Sequence, residues 1–179
     1  MSEILLGALF VLAYLRLGVS IGLLLFLFAL TLLLTLVLYD IAHQILPSLL
    51  LGLFILTSAL AGYALSSSVD SYANDVIAAV LAALFLFLIY YASKGRAIGF
   101  ADAPLAFGLA LLVGPQVLSG FLYSFWIGAT IGIIILLRRP LGARMGVEVP
   151  FAPYLAAGFL LAYFTQWNIF TIIGGFTQH

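Results

Sequence analysis

Apolar residues dominate this chain in long runs separated by short polar joints. The runs fall at about residues 3–16, 19–39, 45–65, 76–93, 102–118, 120–137 and 150–171. A helix that crosses the hydrocarbon of a bilayer needs about 20 mostly apolar residues, roughly 17–25. The pattern therefore predicts six or seven spanning helices, because the first run is short and Gly114 and Pro115 interrupt the fifth. The runs are apolar all round, so helical periodicity adds little. The expected fold class is all-α: a polytopic transmembrane helical bundle forming a single domain over residues 1–179.

Composition points the same way. The chain is 66% hydrophobic and 7% charged, whereas soluble domains run near 45–50% and about 25%. Six acids and six bases leave no net charge, and no basic stripe suits nucleic acid. The absence of cysteine excludes disulfides, thiol catalysis and cysteine-based zinc sites. Two histidines, one of them the terminal His179, argue against a dedicated metal site, and no cofactor is expected. The N-terminal run lacks a basic flank and a small-residue cleavage site, so it reads as a first span rather than a signal peptide.

The joints carry an orientation signal. Residues 66–75 (SSSVDSYAND) hold acids and no base, and read as an external loop. Lys94–Gly95–Arg96 and the stretch 138–144 (RRPLGAR) are basic. The positive-inside rule places the two basic joints in the cytoplasm. Alternation then puts the joint after Tyr39 on the same side, with Arg16 the one basic residue on the other.

Two acids stand out against this frame. Asp40 follows the apolar run LLLTLVLY, and Asp102 precedes another; both fall at helix ends on the side assigned to the cytoplasm. A carboxylate costs about 2.5–3.5 kcal/mol at the centre of a spanning helix and less near the interface. Such acids can serve function or simply cap helices and reach water. Held together in a low-dielectric site, two carboxyls do not both ionise cheaply, and the pair titrates in two macroscopic steps. The ionised member can take a proton from water while the protonated one polarises a carbonyl, the aspartic-protease arrangement. Asp70 and Asp75, by contrast, read as solvated or helix-capping.

Three segments resemble the type IV prepilin peptidases, a family of intramembrane aspartic proteases. Residues 39–47 (YDIAHQILP) resemble the family's first catalytic segment, in which an aspartate ends a helix and a proline follows seven residues later. Residues 94–102 (KGRAIGFAD) resemble the second segment, with its Gly-x-Gly-Asp signature. Residues 148–155 (EVPFAPYL) resemble the stretch that opens the last helix. The segments occur in family order, and the likeness covers about residues 3–165.

The resemblance implies that Asp40 and Asp102 are catalytic. It also implies that the protein cleaves leaders from prepilin or pseudopilin substrates at the cytoplasmic face of a prokaryotic plasma membrane, with lipid as its other partner. His43, Gln44, Pro47, Gly99, Phe100 and Ala101 are candidates to shape the site or contact substrate. His43 and Gln44 lie three and four residues beyond Asp40, within reach along a helix. Pro47 is expected to fix where the next helix begins, and Gly99 to let the chain pass close to an acid. Lys94 and Arg96 are expected to anchor at headgroups.

The chain departs from the family pattern at three positions. Ala101 and Ala152 stand where glycine is usual. In a left-handed conformation alanine at 101 would cost roughly 1–2 kcal/mol. Pro104 stands where lysine is frequent, although proline is well tolerated in a first helical turn. The N-terminal methyltransferase region of bifunctional members has no counterpart here, so peptidase activity alone is expected. Two other classes remain open: a catalytically impaired homologue that scaffolds pilin-like helices, favoured by Ala101 and Pro104, and a small proton- or ion-coupled transporter using both acids. Gly128 and Gly132 form a Gly-x-x-x-Gly pattern expected to serve helix packing.

Overall fold

The computed structural model describes residues 2–96, 98–138 and 150–166. Among them the chain is helical: α1 (Ser2–Leu17), α2 (Ile21–His43), α3 (Ser48–Leu65), α4 (Val69–Ser93), α5 (Asp102–Val113), a 3-10 turn (Gly114–Gln116), α6 (Val117–Arg138) and α7 (Ala152–Thr165). Each predicted apolar run forms a helix, the last described only to residue 166. Four stretches are long and apolar enough to cross a membrane: Ile21–His43, Ser48–Leu65, Val69–Ser93 and Asp102–Ile135, the last interrupted by the 3-10 turn. The helix α7 is apolar but shorter. This is a helical membrane bundle.

Polar residues at the helix starts explain two boundaries. The Ser20 hydroxyl accepts the Leu23 N–H at 3.1 Å and caps α2. Ser68 does the same for α4 through Ser71. The predicted external loop is therefore shorter than residues 66–75. Asp70 lies in the first turn of α4, and Asp75 sits a turn further on, facing Gly114. Side-chain hydroxyls bonded to helical carbonyls let polar side chains ride on otherwise apolar helices. Thr31, Thr57 and Thr165 do this through the carbonyl four residues earlier.

The core surrounds α5, ten of whose twelve residues are buried. That helix packs on α3, α4 and α7, while α1 flanks α2 and α6 pairs with α7. Close approach depends on small residues. A Cβ on Gly108 would fall 2.7 Å from the Phe54 ring, and one on Gly62 2.5 Å from the Leu111 carbonyl oxygen. The tightest crossing joins α6 to α7, where a Cβ on Gly158 would lie 2.2 Å from the Ser124 nitrogen. The Ser124 hydroxyl donates across that crossing to the Leu155 carbonyl at 3.1 Å. The Gly-x-x-x-Gly expectation holds only in part: Gly128 faces Tyr154 and Phe151 at the α6–α7 contact, where an added Cβ would still fit, and Gly132 faces nothing within 4 Å.

These contacts fix the direction of each helix. The end of α3 meets the start of α2 (Leu65 beside Gly22), and the end of α5 meets the start of α4 (Gly114 beside Asp75). The Arg16 guanidinium donates to the Tyr163 carbonyl and lies over the Tyr163 ring, 4.2 Å from its centroid. That cation therefore closes the end of α7, where the helix dipole is negative. The opposite end gathers the end of α2, the Lys94–Arg96 joint, and the starts of α5 and α7.

Candidate active site

Asp40 stands in the last turn of α2 rather than at its end. The helix continues to His43 because the Gln44 N–H donates to the Asp40 carbonyl at 2.8 Å, and Gln44 then stops it in a left-handed conformation, φ 54°. Pro47 is the residue before α3, the boundary the sequence predicts. Asp40 is 7% exposed, and its Oδ2 is buried with no hydrogen-bond partner among the described residues. Its carboxyl stands against the backbone N–H of Ala152, the first residue of α7.

Asp102 is the first residue of α5 and is 6% exposed. The loop before it folds back on the acid. The Gly99 N–H donates to Asp102 Oδ2 at 3.0 Å, and the Asp102 N–H donates to the Gly99 carbonyl at 3.2 Å. A Cβ on Gly99 would sit 3.3 Å from that same Oδ2, so glycine gives the loop its close approach. Ala101 is right-handed, φ −74° and ψ −13°, and the left-handed cost considered for alanine does not arise. Pro104 lies in the first turn of α5, where backbone N–H groups have no helical acceptor to lose.

The two carboxyls come from different helices and interact electrostatically across the end of the bundle. Each also sits beside the start of a helix, Asp40 at α7 and Asp102 at α5, where the dipole favours negative charge. Buried carboxyls in this arrangement can hold and pass a proton between themselves and a reacting group.

The remaining candidates occupy the rim. His43 is exposed and its ring stacks on that of Tyr39, with centroids 4.4 Å apart. Phe100 is 60% exposed and packs against Tyr90 and Phe87 of α4. Lys94 and Arg96 are exposed in the joint leading to Asp102. Ala97, Arg139, Arg144, Glu148 and Trp167 lie outside the described residues. Sequence reasoning gave Ala152 no role beside Asp40; the only signal was its place in the Pro-Phe-Ala-Pro segment.

The model of the type IV leader peptidase family matches residues 27–137, a stretch that contains both acids and runs from α2 through α6. The chain belongs to the type IV leader peptidase family. The "Prepilin leader peptidase/N-methyltransferase" of Bacillus subtilis (strain 168) is 31% identical over 163 residues, covering 90% of this chain and 64% of that relative. The chain thus spans a little under two thirds of the relative's length. No solved structure matches. Membership in a peptidase family gives the paired acids a chemical context, and α7 lies beyond the stretch matched by the family model.

Proposed function

We propose that this chain is a membrane-embedded aspartic endopeptidase that removes the leader from type IV prepilin-like or pseudopilin substrates, with Asp40 and Asp102 as its catalytic pair. The observation that carries the reading is the convergence of two buried carboxyls from α2 and α5 at one end of the bundle. Family membership and the relative's name supply the substrate class.

The chemistry follows from a pair that shares one proton. The ionised carboxyl takes a proton from water, and the resulting hydroxide attacks the scissile carbonyl. The protonated carboxyl donates to the carbonyl oxygen, and the pair then returns a proton to the leaving amine as the C–N bond breaks. The substrate must be extended there to expose its carbonyl. A site at a helix end, within reach of interfacial water, meets that demand more readily than one at mid-membrane. The same placement weighs against a transporter built on a mid-membrane acid pair. The right-handed backbone of Ala101 removes the strain that favoured an impaired scaffold at that position, while the scaffold's other support, the absence of a lysine at 104 beside Asp102, still stands.

The exposed bases Lys94 and Arg96 in the joint before Asp102 support, through the positive-inside rule, a site that faces the cytoplasm, and the family supports a prokaryotic plasma membrane as its setting. A proteoliposome assay tests the whole reading. A peptide with a short basic leader joined to an apolar helix is expected to be cut once, at the leader junction, as read by mass spectrometry. Intact peptide, or cuts scattered through the apolar helix, would contradict it.

A further inference from the structure

Two of the twelve residues of α5, Pro104 and Phe107, are not buried. They lie three positions apart and so share a face of the helix, which Leu111 continues one turn on. At Leu111 that face is closed. A Cβ on Gly62 of α3 would meet the Leu111 carbonyl and, at 3.5 Å, the Tyr72 ring of α4. Tyr72 also donates to the Ala59 carbonyl at 3.1 Å and meets the Tyr63 ring edge-on. Helices α3 and α4 therefore close over α5 near the turn that joins them.

Toward the acids the cover is lost. Gly52 and Leu56 precede Ala59 and Tyr63 by seven residues each, and so continue the same face of α3. Both are exposed, and a Cβ on Gly52 would meet nothing within 4 Å. On α4, Tyr90 lies eighteen residues beyond Tyr72, five turns along the same face. Tyr90 and the exposed Phe87 pack there against the exposed Phe100 of the loop before Asp102. The result is an apolar cleft. Gly52 and Leu56 form one wall, Phe87 and Phe100 the other, and Pro104 and Phe107 the floor.

We propose that this cleft receives the apolar helix of the substrate and brings the leader junction to the acid pair. The proposal rests on the proteolytic reading above. Cleft and site share one element: Asp102 is the first residue of α5, and the floor is its third and sixth. At 1.5 Å of rise per residue, Phe107 lies about 8 Å along the axis from Asp102. A scissile bond at the head of an apolar helix requires that helix to run from the acids into the hydrocarbon. The cleft takes that course, is apolar on all three sides and ends at Tyr72. Glycine at 52 lets a second backbone come close. A lipid chain or another copy of the protein would fill the same walls without bringing a leader junction to Asp102.

The test uses the full chain as Asp102→Asn in proteoliposomes, so that a bound leader-bearing peptide is not turned over. A photoreactive p-benzoylphenylalanine replaces Leu56 in one preparation and Ile133, exposed on α6, in another. Mass spectrometry is expected to find the probe at position 56 joined to the first turns of the peptide's apolar helix, and little peptide at position 133. In the active chain, Gly52→Leu is expected to raise KM for that peptide about tenfold with kcat changed little, the mark of lost substrate binding. Gly132→Leu, at an equally open site, is expected to change neither. Equal labelling at the two positions, cross-links from position 56 to lipid or to a second copy alone, or an unchanged KM in Gly52→Leu overturns the proposal. If the wild-type chain cleaves nothing, the proteolytic reading fails, and the cross-links still decide whether the cleft holds an apolar helix.

Discussion

Gly99 and Asp102 are bonded to each other twice: the Gly99 N–H donates to Asp102 Oδ2 at 3.0 Å, and the Asp102 N–H donates to the Gly99 carbonyl at 3.2 Å. The reciprocal pair fixes both the start of α5 and the direction of its first side chain. Gly99→Ala would place a methyl carbon 3.3 Å from that Oδ2, so the carboxyl must yield by a few tenths of an ångström. Because small misplacements of reacting groups are costly, we expect kcat/KM on a leader-bearing peptide to fall roughly tenfold. Thermal stability should change little, since the loop is exposed at Gly99.

Ala101 makes a contrasting prediction. Its right-handed backbone gives no reason for glycine at this position. Ala101→Gly should destabilise the fold by about 0.4–1 kcal/mol through the added freedom of the unfolded chain and should leave kcat at or below the wild-type value. Denaturation in detergent, paired with a cleavage assay, checks both. A large gain in activity would show that alanine strains the signature loop.

Packing glycines separate equally sharply. A Cβ on Gly158 would collide with the Ser124 backbone at 2.2–2.5 Å, contacts no side-chain rotation can relieve. Gly158→Ala should therefore force α6 and α7 apart, costing about 1–3 kcal/mol, and should impair cleavage by displacing α7. Gly132→Ala meets nothing within 4 Å and should be neutral or stabilising by up to about 1 kcal/mol, the helix-propensity difference. Melting temperatures of the two variants in one detergent make the comparison.

The helices themselves were legible as apolar runs, because lipid imposes a length and an apolarity on whatever crosses it. Two misreadings of helix boundaries share one cause. Polar residues near a run's edge look like loop, yet Ser68 starts α4 at Val69 and carries Asp70 and Asp75 into the helix. The same bias ended α2 at Asp40, although the helix continues to His43. Gly128 and Gly132 had the spacing of a crossing, but a helix apolar on every side does not announce which face meets a neighbour; the closest approach falls at Gly158 and Ser124. The two acids were legible as exceptions to apolarity. The donor facing Asp40 was not, because a main-chain N–H leaves no mark in residue identity.

His43 was a candidate to tune Asp40 from the same helix. The structure stacks its exposed ring on Tyr39, while Asp40 is buried. His43→Ala should therefore change kcat/KM by less than about threefold, within the roughly 0.5 kcal/mol typical of surface substitutions. A loss of a hundredfold in the same peptide assay would give the imidazole a direct role.

The central claim is that Asp40 and Asp102 act as one catalytic unit. Its most direct test is the rate of leader removal by reconstituted Asp40→Asn, Asp102→Asn and the double variant, each confirmed folded. General acid–base partners contribute about a hundredfold to ten-thousandfold, and groups acting together lose their effect together. Each single variant should thus fall by about a thousandfold, with the double variant no slower than either. Retention of more than about a tenth of wild-type kcat/KM by either single variant, less than the tenfold loss of 1.4 kcal/mol, would contradict it.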